Sequence, residues 1–256
     1  MKRISSRENP VYKRVARLAA GKRDGGLLLE GIHLCQEWLR HKGLPQLALF
    51  DAGRLEHPEL QALMRLLNPA QCLIVDSSLV RKLSGVPEGQ GALFVVDEPQ
   101  PQVPATIRRN CLWLDRVQDP GNLGTLLRTA AAVGMQQAYL STGTAGAWSA
   151  KVLRSAQGAH FAMEIFERQD LAQLRHKLAI PLIATALEQA SSLYAERLPR
   201  DCAWLVGNEG QGVGAELLAV SDRRVFIPQE SGVESLNVAV AAAICLFEQR
   251  RQHLPG

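Results

Sequence analysis

Short, continuous apolar runs that alternate with helix-like patterns constrain the fold of this chain more than any other feature. Downstream of residue 110, runs such as 111–114 (CLWL) are bounded by polar or glycine-containing segments. An apolar run that is not interrupted by a polar residue at every second position is typical of a strand buried on both faces, as in a parallel sheet covered by helices. The sequence therefore predicts an α/β protein. We expect strands here at 111–114, 137–140, 181–185, 203–206 and 224–227.

Two helices are predicted among these strands. One should run from about Leu123 to Val133, with Asn122 as its N-cap. The other should run over 236–247 and begin at Ser235, which leaves Asn237 just inside an apolar helix. Because this last helix is apolar on most faces at first and charged at its end, we expect it to be buried early and exposed late.

A second, smaller α/β unit is predicted upstream. Apolar runs indicate strands, and periodic segments between them indicate helices. Residues 97–104 (DEPQPQVP) contain three prolines without a hydrophobic period, which is typical of an extended linker. The predicted domains are 1–97 and 110–256, joined by a linker at 98–109. The upstream strands are expected at 27–29, 47–50, 72–75 and 92–96, and the helices near 10–20, 32–41 and 57–67.

Basic residues are concentrated at the start of the chain. Residues 1–23 contain eight of them against the single acidic residue Glu8, although the whole chain carries a formal charge of only +4. Such a segment is typical of a surface for a polyanion such as nucleic acid, and a solvated helix face explains it equally well. The basic residues are Lys2, Arg3, Arg7, Lys13, Arg14, Arg17, Lys22 and Arg23.

Cysteine and histidine usage excludes several protein classes. The five cysteines are odd in number and widely spaced, which argues against a disulfide framework and against a zinc site, and favours a reducing cytoplasm. The six histidines show no metal-ligand spacing, so we expect no metal. No apolar run approaches the roughly 18 residues of a membrane span, and the basic N-terminus is unlike a signal peptide.

Three loops carry the residues that suggest chemistry. The first, 115–121, ends a strand and leads through Asp119-Pro120-Gly121 to Asn122, a good N-cap, and to Arg128. A structural salt bridge and a functional position are equally consistent with Arg128. The second loop, Gly207–Gly214, has glycines that let backbone approach a ligand, or that make only a tight turn. It matches neither the dinucleotide nor the phosphate-loop pattern.

The third loop follows Ile227-Pro228 and reaches Asn237. Ser235 has an ordinary reading as a helix cap, whereas an amide inside an apolar helix needs hydrogen-bond partners.

Together these segments resemble the three motifs of the SpoU-type (TrmH-like) RNA 2′-O-ribose methyltransferases of the SPOUT class. Asn122 and Arg128 match the first motif, and the Gly-x-Glu-Gly of 207–210 matches the second. Ile227-Pro228 and the Ser-Leu-Asn-Val of 235–238 match the third. The resemblance covers about 110–252 and includes the segment 151–159. Gln229 departs from the pattern, because a methionine is common there.

The resemblance implies a C-terminal parallel-sheet α/β domain with a trefoil knot, S-adenosylmethionine as cofactor, and a homodimer. The segments Ile4–Pro10 and Leu29–His33 also resemble the ribosomal-protein-like RNA-binding domain that often precedes the catalytic domain. The residues implied to bind the cofactor are Gly207, Asn208, Gly210, Ile227, Ser235 and Leu236. Those implied to be catalytic are Arg128, Asn122, Glu209, Ser235 and Asn237.

The implied activity is methyl transfer to a ribose 2′-hydroxyl, in ribosomal RNA rather than transfer RNA. Family assignments make Arg128 the group that accepts the proton, but guanidinium resists deprotonation, so we expect it to stabilise the developing alkoxide. The alternatives are a transfer-RNA methyltransferase and a non-catalytic RNA-binding or ribosome-assembly protein. A nicotinamide-dependent enzyme is a more distant alternative because the glycine pattern does not fit.

Overall fold

The structure is a computed structural model that describes residues 1–22, 25–85, 89–232 and 235–254. Its strands are β1 (Lys2–Ile4), β2 (Gly26–Glu30), β3 (Leu47–Asp51), β4 (Cys72–Val75), β5 (Ala92–Asp97), β6 (Cys111–Leu114), β7 (Gln137–Ser141), β8 (Glu164–Gln169), β9 (Leu182–Thr185), β10 (Ser191–Ser192), β11 (Ala203–Val206) and β12 (Arg223–Phe226). Its helices are α1 (Pro10–Ala19), α2 (Ile32–His41), α3 (Pro58–Arg65), α4 (Ser77–Leu83), α5 (Pro120–Ala132), α6 (Ala150–Ala156), α7 (Leu171–Leu174), α8 (Ala215–Ala219) and α9 (Val238–Gln252).

The chain divides into two compact units. The first comprises Met1–Pro99 and Trp148–Phe161, and the second comprises Gln100–Ala147 and Ala162–Gly256. The first unit thus includes a segment that the sequence placed in the second domain. The predicted domain limits stay predictions.

The first unit contains a five-stranded sheet in the order β1-β4-β3-β5-β2. Strand β5 runs antiparallel to β2 and β3, and the β1–β4 and β3–β4 pairs are parallel. Helix α1 packs on this sheet through Tyr12, Val15 and Leu18, which recur every three residues and therefore share one face of the helix.

The segment Trp148–Phe161 contributes aromatic packing to the first unit. Phe161 meets Trp38 edge to face with ring centroids 5.2 Å apart, and His160 lies between Trp148 and Phe161. The His160 side chain is fully buried, and neither ring nitrogen has a hydrogen-bond partner among the residues that the structure describes. Burial lowers the pKa of His160 to about 3, so the ring packs as a neutral group.

The second unit contains a seven-stranded parallel sheet in the order β10-β12-β9-β11-β6-β7-β8. Large aromatic side chains are buried among aliphatic ones in this unit: Trp113 and Trp204 are fully buried, and Tyr139 stacks on Phe166 with ring centroids 4.6 Å apart. The Trp204 indole donates to the side-chain amide oxygen of the buried Gln249 of α9 at 2.8 Å. The predicted α/β class with a parallel sheet is confirmed, and the knot stays a prediction.

All nine predicted strands are present within one residue of their expected bounds. The strands that the sequence missed, β1, β8 and β10, lie at sheet edges. An edge strand has one solvated side and tolerates charged residues, so it does not form the continuous apolar run used for prediction.

Two predicted helix starts are wrong. Helix α5 begins at Pro120 with Asp119 as N-cap, so Asn122 lies within the first turn. Helix α9 begins at Val238 with Asn237 as N-cap; Ser235 precedes it and is exposed. In α9, Asn237 can cap the helix as well as Ser235 can, and Asn237 lies closer to the apolar run that forms the helix.

Whether a side chain of α9 is buried depends on the face of the helix it occupies and not on its position along the helix. Val240, in its first turn, is 50% exposed, whereas Gln249 near its end is 4% exposed. The expected change from a buried start to an exposed end is therefore wrong. Among the described residues, no helix combines the length and apolar character that crossing a membrane requires.

Candidate active site

Five inner strands of the second sheet are parallel, so the loops that follow them all leave from one edge. We call these loops the edge loops. They follow β6, β7, β9, β11 and β12, and their described residues are 115–121, 142–147, 186–190, 207–214, 227–232 and 235–237. The three segments that were predicted from the sequence to carry chemistry are thus the edge loops after β6, β11 and β12, with the starts of α5 and α9.

Glu209 joins the second segment to the first. Its Oε1 accepts the Asp119 backbone N–H at 3.0 Å and the Asn122 side-chain amide at 3.1 Å. Its Oε2 accepts the Gln118 backbone N–H at 3.1 Å. Partial burial raises the pKa of Glu209, but these donors together outweigh it and hold the pKa below its ordinary value. The carboxylate accepts three hydrogen bonds from the first segment, so it positions that loop and the start of α5.

Asn122 and Asn237 join the first segment to the third. The Asn237 Nδ2 donates to Asn122 Oδ1 at 3.0 Å, while its own Oδ1 caps α9 by accepting from Ala239 and Val240. The chain Asn237–Asn122–Glu209 therefore connects residues 87 and 115 positions apart in the sequence. Asn237 was expected to need partners inside a helix; it finds them at the helix start.

The glycine-rich loop after β11 turns back on itself. A Cβ at Gly207 would lie 2.1 Å from backbone atoms of Gly212 and Val213, so no other residue fits there. Asn208 holds the turn: its Oδ1 accepts from the backbone of Gly210 and Gln211, and its Nδ2 donates to the Arg116 carbonyl at 2.8 Å. The glycine-rich loop is thus a tight turn, and its approach to a ligand stays a prediction.

The third segment supplies apolar surface and free backbone. Ile227 and Leu236 are half-buried. The Gln229 side chain, at the position that departs from the motif pattern, donates to the Ile227 carbonyl at 3.5 Å, which is a weak hydrogen bond. Ser235 is exposed, and its hydroxyl has no partner among the described residues.

Arg128 is a predicted catalytic residue that forms no hydrogen bond with this group. It follows Asn122 by six residues on α5, about 9 Å along the helix axis and on another face. Its side chain is exposed, and within the described residues no group accepts a hydrogen bond from its guanidinium.

An Asp115–Arg116 pair after β6 was missed by the sequence reasoning. Asp115 is 4% exposed, and its carboxylate accepts from Arg116 Nε and Nη2, both at 3.0 Å, and from the Gly214 backbone at 2.9 Å. Arg116 itself has a backbone φ of +55°, which is rare for a residue with a side chain. The sequence signal was two adjacent opposite charges directly after an apolar strand.

The basic residues predicted to bind RNA lie on β1, on α1 and beside them, and the seven of them that the structure describes are all exposed. Arg3 pairs with Asp76, Lys13 with Glu8, and Arg14 donates to Gln46. Arg23, also predicted to bind RNA, lies outside the described residues.

Comparison with known proteins identifies the family. The model of the SpoU rRNA Methylase family matches residues 109–247. The chain belongs to this family. It is 34% identical to the 23S rRNA (guanosine(2553)-2′-O)-methyltransferase RlmP of Bacillus subtilis, over 98% of this chain and all of that protein. It is 35% identical to an uncharacterised tRNA/rRNA methyltransferase of Synechocystis, over 97% of this chain and 93% of that protein.

A solved structure extends the likeness to the SpoU fold. The AdoMet-bound rRNA methyltransferase of Sinorhizobium meliloti matches with a TM-score of 0.83 and 25% identity, over 99% of each chain. The predicted family and enzyme class are confirmed by these matches.

Proposed function

We propose that this SpoU family member transfers a methyl group from S-adenosylmethionine to a ribose 2′-hydroxyl of ribosomal RNA. The observation that carries the proposal is the hydrogen-bonded chain Asn237–Asn122–Glu209, which gathers three distant segments at one sheet edge. The likeness to proteins named as rRNA 2′-O-methyltransferases supports the substrate class.

The edge loops fit S-adenosylmethionine. A Cβ at Gly212 or Gly232 would meet nothing within 4 Å, and one at Gly210 would meet only the Asn208 side chain, so these loops expose backbone to open space. Half-buried Ile227 and Leu236 suit a purine, and the backbone of Gly207 and the carbonyl of Gly210 suit the polar parts. Asn208, whose backbone N–H and C=O both pair with Gly212, is proposed to hold the loop in the shape that binds the cofactor. When bound, the cofactor supplies a methyl group on a positively charged sulfur. Ser235, with an uncommitted hydroxyl, is proposed to bind the cofactor or the ribose.

The residues of this chain then have separate tasks. Asn122, Glu209 and Asn237 are positioning residues, because their polar atoms already bond one another and the backbone. Among the described residues, no group accepts a hydrogen bond from Arg128. A guanidinium does not give up its proton in proteins, so Arg128 stabilises the alkoxide that forms on the ribose, and the 2′-hydroxyl proton leaves to solvent water.

We further propose a homodimer in which Arg128 serves the partner's site. Helix α9 exposes Val240 (50%) and Phe247 (48%), two apolar side chains seven residues apart and hence on one face. This surface, and the absence of a partner for Arg128 among the described residues of its own subunit, support the pairing. Phe247→Asp should yield monomers in light scattering and lose activity; a dimer that persists would contradict the pairing.

The basic residues 1–22 are proposed to bind RNA phosphates, and the protein is proposed to act in the cytoplasm. Five buried, unpaired thiols support a reducing compartment. Exposed cations that neutralise phosphates supply affinity that falls steeply with salt. Ribosomal RNA is preferred over transfer RNA as the partner because of the relatives' names.

Calorimetry with S-adenosylmethionine tests the enzyme proposal against a non-catalytic RNA-binding protein on the same fold. Saturable binding at one site per subunit is expected, and no heat at millimolar cofactor would contradict it. Mapping of ribose methylations lost in a deletion strain then identifies the substrate: a missing mark in ribosomal RNA supports the proposal, and one only in transfer RNA overturns the rRNA assignment.

A further inference from the structure

The edge loops are almost free of positive charge. Their described residues include five acidic residues but a single cation, Arg116. An RNA strand is a polyanion, so its approach to this edge is opposed by the acidic residues unless a cation offsets them. Among the described residues of the edge loops, only Arg116 can offset them. The five acidic residues are Asp115, Asp119, Glu188, Glu209 and Glu230.

Arg116 has donors left for a ligand after its internal bonds are counted. Its guanidinium gives Nε–H and one Nη2–H to Asp115, and one Nη1–H to Gln211 at 3.1 Å. A guanidinium carries five N–H groups, so one on each Nη remains. The side chain is 37% exposed, and no group among the described residues accepts from these two remaining N–H groups.

The backbone holds this guanidinium in place. The Arg116 N–H donates to Ser141 at 2.9 Å and its carbonyl accepts from Asn208 at 2.8 Å, which fixes the residue at φ +55°. A left-handed conformation costs a residue with a Cβ about 1 kcal/mol or more, and such strain persists only where the surroundings enforce it. Pairing with Asp115 alone does not require the guanidinium to remain a third exposed.

We propose that Arg116 binds a phosphodiester of the substrate RNA next to the reacting ribose. The two free N–H groups, one on each terminal nitrogen, match two phosphate oxygens. Asp115 orients the guanidinium from behind, and Gln211 fixes its rotation. This inference rests on the proposed function, because it assigns the phosphate contact of the same RNA substrate.

Arg116→Gln tests the contact, because glutamine keeps the stem and one donor for Asp115 while it removes the charge. We expect the KM for RNA to rise about tenfold and the slope of log affinity against log salt to fall by about one. The S-adenosylmethionine Kd and the kcat at saturating RNA should stay within about threefold. Arg116→Lys should restore the salt slope, and Gln211→Ala should leave it unchanged.

Unchanged RNA KM and salt slope in Arg116→Gln would overturn the proposal. A weakened cofactor Kd with an unchanged slope would also overturn it, since that is the signature of a purely structural pair. If Arg116→Gln does not fold, arginine-modification footprinting of the wild-type protein decides: RNA, but not S-adenosylmethionine alone, should protect Arg116, and equal modification would contradict the contact. If the wild-type protein itself transfers no methyl group to RNA, the proposed function is refuted instead.

Discussion

The N-terminal segment 1–22, with its basic residues, and the edge loops of the second sheet differ in how firmly other residues fix their polar side chains. The first region carries seven exposed cations, several of which pair with nearby acids or amides on the surface. The second carries one cation and a network whose members lie about a hundred residues apart in sequence. Exposed charge gives affinity without precise geometry, whereas chemistry needs groups fixed by many contacts. Binding and catalysis are therefore expected to respond to different mutations.

The largest effect should come from Arg128→Ala. Loss of a donor to a developing oxyanion costs about a hundredfold to a thousandfold in kcat, so methyl transfer should fall by at least about a hundredfold. Cofactor affinity and RNA affinity should change little, as calorimetry and filter binding would show. Arg108→Ala is the matched control, since it removes an exposed guanidinium just before β6, at the opposite edge of the sheet. Full turnover by a folded Arg128→Ala protein would refute this assignment.

A large effect is also expected from Gly207→Ala. The added Cβ would lie 2.1 Å from the backbone of the same loop, so the loop must open. We expect the loss of S-adenosylmethionine binding and a drop of about 3 kcal/mol in the free energy of unfolding. Gly210→Ala controls for the methyl group itself, because its Cβ would meet only Asn208 Oδ1 at 3.7 Å. Equal cofactor affinity in both variants would show that the turn at Gly207 is dispensable.

Glu209→Gln should have an intermediate effect. The glutamine amide keeps one acceptor oxygen but turns an NH2 group toward backbone donors. We expect this to lower the free energy of unfolding, measured with urea, by about 1 kcal/mol. The loss is this small because the side chain is exposed. The pKa of Glu209 is lowered on folding, so its stabilisation is present above the ordinary value of 4.5 and is lost as pH falls through the lower folded value. The stability gap between wild type and variant should therefore shrink below pH 4.5; a gap that widens there would contradict the network.

The smallest effect on catalysis should come from residues 1–22. Replacement of Lys13, Arg14 and Arg17 by alanine should reduce the salt slope of RNA binding by about two to three and leave kcat at saturating RNA unchanged. Alanine suits α1, so the helix should be retained. The same change at Arg65, Arg81 and Lys82, which lie on α3 and α4, is the charge-matched control. Equal losses in both triple variants would mean that the effect is net charge alone.

The sequence predicted nine of the twelve described strands, because buried strands have a continuous apolar signature that needs no tertiary information; the edge strands β1, β8 and β10 lack it. It also identified Asn122, Glu209 and Asn237, although for Asn237 it expected an interior amide and not a cap. Their mutual hydrogen bonds could not be predicted, because those depend on strand order, which brings β11 beside β6 only in the folded sheet. Arg116 was missed because what distinguishes it is a backbone conformation and the charge of loops distant in sequence.

Incubation of ribosomal RNA with the protein and methyl-labelled S-adenosylmethionine, followed by alkaline hydrolysis, tests the central claim most directly. A methylated 2′-oxygen cannot attack the adjacent phosphate, so the account predicts label in alkali-resistant dinucleotides, and its absence with the Arg128→Ala protein. Label in mononucleotides, which would place the methyl group on a base, or no label despite bound cofactor, would contradict it.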